Sequence, residues 1–337
     1  PARFRTRGGA MARVTYLEAA RRALERALER DPRVWCLGED LGRGGVFGQY
    51  AGLQARFGPA RVADAPISEG AIMGAALGAA LAGTRPVVEM RFSDFALCAV
   101  DELVNQVAKA RFMFGGQARA PLVVRAPVGM WRSSAAQHSQ SLEAWYVHVP
   151  GLVVTAPATV RDAHDLLAAA IRCDDPVVHL EHKTLWPLEA EAELDGPPAE
   201  LGRAARRRAG GDVTVVSWSA TVHAAAEAAD ALAAEGIGVD LLDLRTLWPW
   251  DEAAVLESVR RTGRLIVAHE AVRAGGFGAE VAATVAEACH GALKAPVRRL
   301  GAPRAPIGYA PELEDRLRVT PAAIAGTARA LLAPAPA

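Results

Sequence analysis

The sequence predicts an α/β protein of two domains, each a mainly parallel sheet covered by helices on both faces. Three observations carry this. Short, near-continuous apolar runs alternate with helix-length segments along most of the chain, the pattern of strands buried on both faces. The length, 337 residues, exceeds a single domain of roughly 150 residues. The alternation also breaks once, between Leu185 and Gly211, into Pro187, acidic residues, Gly196-Pro197-Pro198 and the basic run Arg203 to Arg208, the composition of a domain connection.

In the first domain, Thr15-Tyr16-Leu17-Glu18 is a capping box, with Leu17, Ala20, Leu24, Ala27 and Leu28 at helical spacing up to Asp31-Pro32. Val34 to Gly38 is a short buried strand, and Pro86 to Met90, Pro121 to Arg125, Gly151 to Thr155 and Pro176 to Leu180 repeat the pattern. Helices over Glu69 to Ala82, Asp94 to Phe114 and Thr159 to Arg172 lie between them. Beyond the break come strand Val213 to Trp218, helix Thr221 to Glu235, strand Ile237 to Leu242, helix Asp251 to Thr262, strand Arg264 to Ala268, helix Gly276 to Gly291 and strand Val297 to Leu300. The expected organisation is an extension or flexible arm over 1–14, a first domain over 15–190, a connection over 191–211 and a second domain over 212–337. Met11 is read as the natural start, and the Ala-Pro tail after Leu332 is expected to fray.

Composition narrows the function. With 38 basic and 38 acidic side chains there is no basic excess of the kind nucleic acids select. Cys36, Cys98, Cys173 and Cys289 are far apart with no C-x-x-C pair, which disfavours a zinc ribbon or a disulfide framework and predicts a reducing, cytoplasmic setting. The longest apolar stretch, Gly70 to Gly83, is short of the roughly 20 residues a membrane helix needs, so no membrane span is expected.

Several motifs fail on inspection. Gly42-Arg43-Gly44-Gly45-Val46-Phe47-Gly48 has Phe47 where G-x-G-x-x-G needs its third glycine, and Gly275-Gly276-Phe277-Gly278 fails the same spacing, which removes the nicotinamide-oxidoreductase reading. His179-Leu180-Glu181-His182 is not H-E-x-x-H and reads as a strand end, with its two rings on opposite faces. Ser139 is not in a G-x-S-x-G elbow. Two segments are more informative. Glu69 opens a nearly featureless Ala/Gly helix after Pro66-Ile67-Ser68, with glycines at 70, 74 and 78 that permit close approach of a backbone or flat ligand. His138 ends a long polar connection after a buried strand, where sheet proteins place active-site groups.

Ile67-Ser68-Glu69-Gly70, Phe92-Ser93-Asp94-Phe95, Gln137-His138-Ser139-Gln140-Ser141, His148-Val149-Pro150-Gly151, Asp243 to Asp251 and Ala268-His269-Glu270-Ala271 occur in the order of one family. From about Thr15 to the last helix the chain resembles the beta subunit of the thiamine-diphosphate-dependent decarboxylating component of 2-oxoacid dehydrogenase complexes. Leu244 to Asp251 and Thr262 to Glu270 look most like the branched-chain subgroup. The resemblance implies a transketolase-like pyrimidine-binding domain followed by a transketolase C-terminal-like domain. It also implies an α2β2 heterotetramer whose alpha subunit holds the diphosphate and magnesium, since this chain lacks the Gly-Asp-Gly and later Asn of that site. A lipoyl-bearing acyltransferase core would be the second partner.

Residue by residue, the resemblance makes Glu69 the carboxyl bonded to the pyrimidine nitrogen opposite the amino group, stabilising the imino tautomer that acts as internal base. Burial beside Ile67 is expected to raise its pKa. Phe95 would stack on the pyrimidine, and His138 would act near the reacting carbon during acyl transfer. A monovalent cation such as potassium would be held by backbone near Leu122, Ala170, Cys173 and Asp175. This chain departs from the subgroup at Arg91, where Gln is usual, placing a cation near the cofactor or the substrate carboxylate, or else turning to a salt bridge. The loop Gly129 to Ala136, commonly glycine-rich, is bulkier here, and Trp218-Ser219-Ala220 replaces a common glycine turn. The expected activity is oxidative decarboxylation of a 2-oxoacid, with acetoin cleavage and a non-catalytic scaffold as the alternatives.

Overall fold

The computed structural model describes residues 11–196 and 199–333. The first half runs β1 (Met11–Thr15), α1 (Tyr16–Arg30), β2 (Val34–Gly38), α2 (Leu53–Phe57), β3 (Val62–Asp64), α3 (Glu69–Leu81), β4 (Arg85–Glu89), α4 (Ala110–Met113), β5 (Val123–Val128), α5 (Glu143–Val147), β6 (Val153–Thr155), α6 (Val160–Arg172) and β7 (Val177–His182). There follow β8 (Glu189–Glu193), β9 (Ala205–Arg208), β10 (Val213–Ser217), α7 (Thr221–Ala233), β11 (Val239–Asp243), β12 (Thr246–Trp248), α8 (Glu252–Thr262), β13 (Leu265–Val272), α9 (Gly278–Ala288), β14 (Arg298–Ala302), α10 (Pro311–Asp315) and α11 (Pro321–Leu332).

One sheet has the order β12-β6-β7-β5-β4-β2-β3 and the other β14-β13-β10-β11-β9. Within these two sheets all pairs are parallel except the edges β12–β6 and β11–β9. Helix α1 forms where the sequence places it: Thr15 Oγ1 accepts from the Glu18 N–H at 3.1 Å and the Glu18 carboxylate accepts from the Thr15 N–H at 2.9 Å. Its buried face, Tyr16, Ala20 and Leu24 among others, packs with α6 on one side of the first sheet. On the other side α3 buries Ile72, Met73, Ala76 and Ala80, and that core continues without a break into Val216, Leu242 and Val267 of the second sheet.

Beyond the short elements α2, β3, α5 and α10 and the last helix α11, which the sequence reading did not delimit, four segments depart from expectation. The run Asp94 to Phe114 is not one helix but a 3-10 turn (Phe95–Ala99), a π turn (Glu102–Val107) and α4. The Gly151 turn lies so close to it that a Cβ there would sit 1.9 Å from the Ala108 carbonyl oxygen, and the wide π turn is where the helix yields. Residues 11–14, expected as an arm, belong to β1, which pairs antiparallel with β8 inside the stretch expected as connection. The basic run forms β9, an edge strand, because each arginine finds an acid: Arg206 on Asp240 at 3.1 Å, Arg207 on Asp243 at 2.6 Å and Arg208 on Asp230 at 3.0 Å. Strand β12 extends the first sheet from within the second half of the chain. Its three residues are too few to stand out as a periodic segment.

The substituted glycine turn has a measurable cost. Ser219 is buried at φ +54°, in the left-handed region, and its hydroxyl has no partner. Ser219→Gly is expected to raise stability by about 0.5–1.5 kcal/mol, after allowing for glycine's unfolded-state entropy. Urea unfolding would register this as a higher midpoint at unchanged slope, and a lower midpoint would refute it.

A buried ionic cluster sits at the centre of the first sheet. Arg125 on β5 is 1% exposed and donates to both oxygens of Glu181 on β7, at 2.8 and 3.0 Å. Glu89 on β4 lies 3.6 Å from the same guanidinium and accepts from Gln49 at 3.0 Å and from the Tyr50 hydroxyl at 2.9 Å. Burial pushes the Glu89 carboxyl up to about 7 from 4.5, against the attraction of Arg125. The folded chain therefore holds this proton more tightly than the unfolded chain. Its contribution to stability is complete below pH 4.5 and is lost as pH rises through 7. Glu89→Gln should flatten the fall of the urea midpoint across that window, and an unaltered pH slope would count against the assignment.

Candidate active site

The loops leaving the C-terminal ends of β2, β3, β4, β5 and β7 converge at one edge of the first sheet, where parallel α/β sheets present chemistry. After β2 come Glu39 and Asp40, and after β3 comes Glu69 as the first residue of α3. After β4 come Arg91, Phe92, Asp94 and Phe95, after β5 the loop to His138, and after β7 Lys183.

Glu69 is partly buried at the start of α3, where the helix dipole favours its charge. Ile67 does not cover it: that side chain is 74% exposed. Arg91 turns to a salt bridge, one of the two outcomes its sequence position allowed, 2.8 Å from Asp40 and 3.6 Å from Glu39. Burial pushes the Glu39 carboxyl up, Arg91 opposes this, and the charge of Glu69 adds to it. Glu102 on the π turn also approaches: a Cβ on Gly70 would lie 3.1 Å from its carboxylate. The mouth of α3 is thus an acidic group of four residues with one fixed cation.

Beside it lies an aromatic group. Phe95 and Phe92 stand edge-on to the His138 ring, with centroids 5.1 and 4.9 Å away, and to each other at 5.5 Å. Phe47, Trp131 and Trp186 extend the wall from Phe92. Sequence reasoning had no role for Lys183, a lone lysine past a strand. It is fully buried, with its ammonium over the Phe92 ring at 4.7 Å and donating to the His138 carbonyl oxygen. Burial pushes it down to about 8 from 10.5, against the pull of Asp94, Glu270 and Glu314. Asp94 accepts from the Gln140 side chain at 2.8 Å and is pushed up by burial, which that hydrogen bond opposes.

The His138 loop is itself unusual. Arg132, Ser133 and Ala135 have φ of +48°, +56° and +59°, a left-handed backbone that costs roughly 1–3 kcal/mol per non-glycine residue. The bulk of this loop noted in the sequence is therefore borne as backbone strain.

Elsewhere the sequence candidates have structural duties. His179 and His182 face opposite sides of β7: His179 Nδ1 pairs with Thr155 Oγ1 at 2.8 Å, and His182 Nε2 with Glu270 at 2.9 Å. Gly276 and Gly278 make room for the buried His269, since a Cβ on either would meet its ring at 2.8 and 2.6 Å. His269 stacks on Trp218, whose indole N–H donates to Glu143 of the first domain at 3.0 Å. Leu122, Ala170, Cys173 and Asp175 gather around the turn from α6 into β7, where the Leu122 carbonyl accepts from Val177 N–H at 3.0 Å and that of Cys173 from Arg85 at 2.9 Å. Among the described residues no three His, Cys, Asp or Glu side chains converge as a metal-ligand set.

Residues 12–188 match the family described as transketolase, pyrimidine binding domain, and residues 202–324 that described as transketolase, C-terminal domain. This chain belongs to the transketolase-like beta subunits of 2-oxoacid dehydrogenases and acetoin oxidoreductases. It is 40% identical over 324 residues to the 2-oxoisovalerate dehydrogenase subunit beta of Bacillus subtilis, covering 95% of this chain and 99% of that one. It is 44% identical over 322 residues to the acetoin:2,6-dichlorophenolindophenol oxidoreductase subunit beta of Cupriavidus necator, covering 92% and 95%. A pyruvate dehydrogenase E1 component subunit beta-2 of Oryza sativa is 41% identical, covering 89% and 81%. A solved chain titled split gene transketolase, inactive beta4 tetramer, shares the fold at a TM-score of 0.78, 24% identity and 96% and 99% coverage.

Lys183→Met removes the buried donor on the His138 carbonyl and should cost about 1–3 kcal/mol in urea unfolding. A loss below about 0.5 kcal/mol would mean that the ammonium does not hold this loop.

Proposed function

We propose that this chain is the beta half of a 2-oxoacid dehydrogenase, acting with an alpha subunit in an α2β2 heterotetramer. In this reading a branched-chain 2-oxoacid is decarboxylated and the acyl group passes to a lipoyl-bearing acyltransferase. The observation that carries the reading is Glu69 opening α3, the helix that packs on the turn Phe95–Ala99, whose Phe95 in turn meets His138. A partner is supported by what the chain leaves uncovered there: Ile67 is 74% exposed, and Cβ positions on Gly74 and Gly78 of the same helix would face open space.

Thiamine diphosphate, when bound, supplies the electron sink for decarboxylation. The donor set suits its pyrimidine end: a partly buried carboxylate at a helix start, and on the neighbouring turn a partly buried phenylalanine set against His138. Glu69 would hold a proton at its carboxyl against the pyrimidine nitrogen, and Phe95 would fix the ring plane. His138, steadied through its own carbonyl by Lys183, would donate a proton to oxygen developing charge near the reacting carbon. The diphosphate and magnesium are assigned to the alpha subunit, and a potassium ion to the carbonyls around the turn from α6 into β7. Arg91, held by Asp40 and Glu39, moderates the acidic field around Glu69 rather than binding a substrate carboxylate.

Acetoin cleavage is the second reading. It is supported by the 44% identical Cupriavidus necator relative, which is named as an acetoin oxidoreductase subunit.

Carbon dioxide release from branched-chain 2-oxoacids and from pyruvate, and acetoin cleavage, measured on the complex with its co-expressed alpha subunit, distinguish the readings. Glu69→Ala is expected to lower kcat at least about 100-fold. Full activity in that variant would remove Glu69 from the mechanism. Absence of both calorimetric cofactor binding and turnover would favour a scaffold subunit.

A further inference from the structure

The loop from Gly129 to Ser141 carries His138, yet its left-handed residues Arg132, Ser133 and Ala135 give it no intrinsic reason to hold that shape. Part of what holds it comes from the second domain. Glu270, on β13, accepts from the Met130 N–H at 2.7 Å and from His182 Nε2 at 2.9 Å. Burial opposes its charge, but His182, the Met130 amide and Arg318 together keep the carboxyl below its ordinary value. Glu314, on α10, is 4% exposed and accepts from the Ser133 N–H at 3.0 Å. Arg318 links the two: it pairs with Glu314, lies 3.8 Å from Glu270 and donates to the Met130 carbonyl at 3.3 Å. Beneath them Met130 packs with Leu317 and Ala302 in a small apolar cluster of its own.

We propose that Glu314 and Arg318 of the second domain are positioning residues for His138, clamping the strained half of its loop by the Ser133 amide and the Met130 carbonyl. Neither side chain touches the reacting atoms. The clamp sets the approach of the loop, and Lys183, in the first domain, fixes its far end. The second domain therefore has a part in the chemistry itself. A partner that moves α10 would move His138, since two charged hydrogen bonds in a partly buried place transmit displacement more faithfully than apolar packing. This inference rests on the reading of His138 as an active-site group.

The test uses Glu314→Gln, Glu314→Asp and Arg318→Lys in the complex with the alpha subunit, with His138→Ala as the reference. Glu314→Gln is expected to lower kcat about 10- to 100-fold, with KM for the 2-oxoacid and cofactor affinity held within about twofold. Glu314→Asp should recover part of the loss. Hydrogen exchange at the amides of residues 130–138 should accelerate in Glu314→Gln and in Arg318→Lys while the helices of the second domain keep their protection. Unchanged kcat and unchanged exchange in Glu314→Gln, in an enzyme that His138→Ala inactivates, would overturn the clamp. If His138→Ala stays active, the reading of the site fails, and the exchange rates alone then judge whether the loop is clamped. If Glu314→Gln does not assemble, the same two measurements on Arg318→Lys decide between these outcomes.

Discussion

The contact on which the rest depends is the buried fork between Arg125 and Glu181, with Glu89 on the adjoining strand. Strands β4, β5 and β7 are buried on both faces, so alternation between a core face and a solvent face does little to penalise a slip of one strand against its neighbour. A charged group shut inside such a sheet does penalise it, because moving β7 by one residue would separate a guanidinium from its carboxylate in a place that water does not reach. With that register set, the ends of the strands are set too. Arg91, Met130 and Lys183 emerge at the same edge because Glu89 lies opposite Arg125 and Val128 opposite His182 in the sheet.

The two domains share more than a boundary. One apolar core runs from α3 through the first sheet into the second, β12 completes the edge of the first sheet, and Trp218 donates across to Glu143. This continuity lets the site carry strain. Loop residues that would favour glycine are occupied by Arg132, Ser133 and Ala135, and Ser219 sits in the same left-handed region at a turn beside the domain contact. Charges and packing supplied from distant parts of the chain offset local backbone costs, which a free loop could not sustain.

Much of this was legible in the residues. The capping box of α1, the buried strands, the helix opened by Glu69 and the placement of His138 past a buried strand all rest on local rules, and local rules act within a few residues. The broken helix after Asp94 was not legible, because the Gly151 turn that presses on it is some 40 residues away. Nor was the strand formed by Arg206 to Arg208, since an all-basic run looks like solvent-exposed linker until Asp240, Asp243 and Asp230 are beside it. Ile67 was expected to bury Glu69 and instead stands open. Glu39 and Asp40, charged residues directly past a buried strand, were the one visible sign of the acidic mouth.

By itself the sequence determined the alternation of strands and helices, the parallel character of both sheets and the family, and it singled out Glu69 and His138 as the candidate side chains of the site, because each is written in spacing and residue type. Only the tertiary structure decided which groups surround those side chains: Lys183 under His138, Arg91 on Asp40, Glu314 and Arg318 on the strained loop. The reason is physical. Electrostatic and steric partners are chosen by proximity in space, and proximity among residues separated by a hundred positions or more follows from sheet register and domain packing, not from any pattern along the chain.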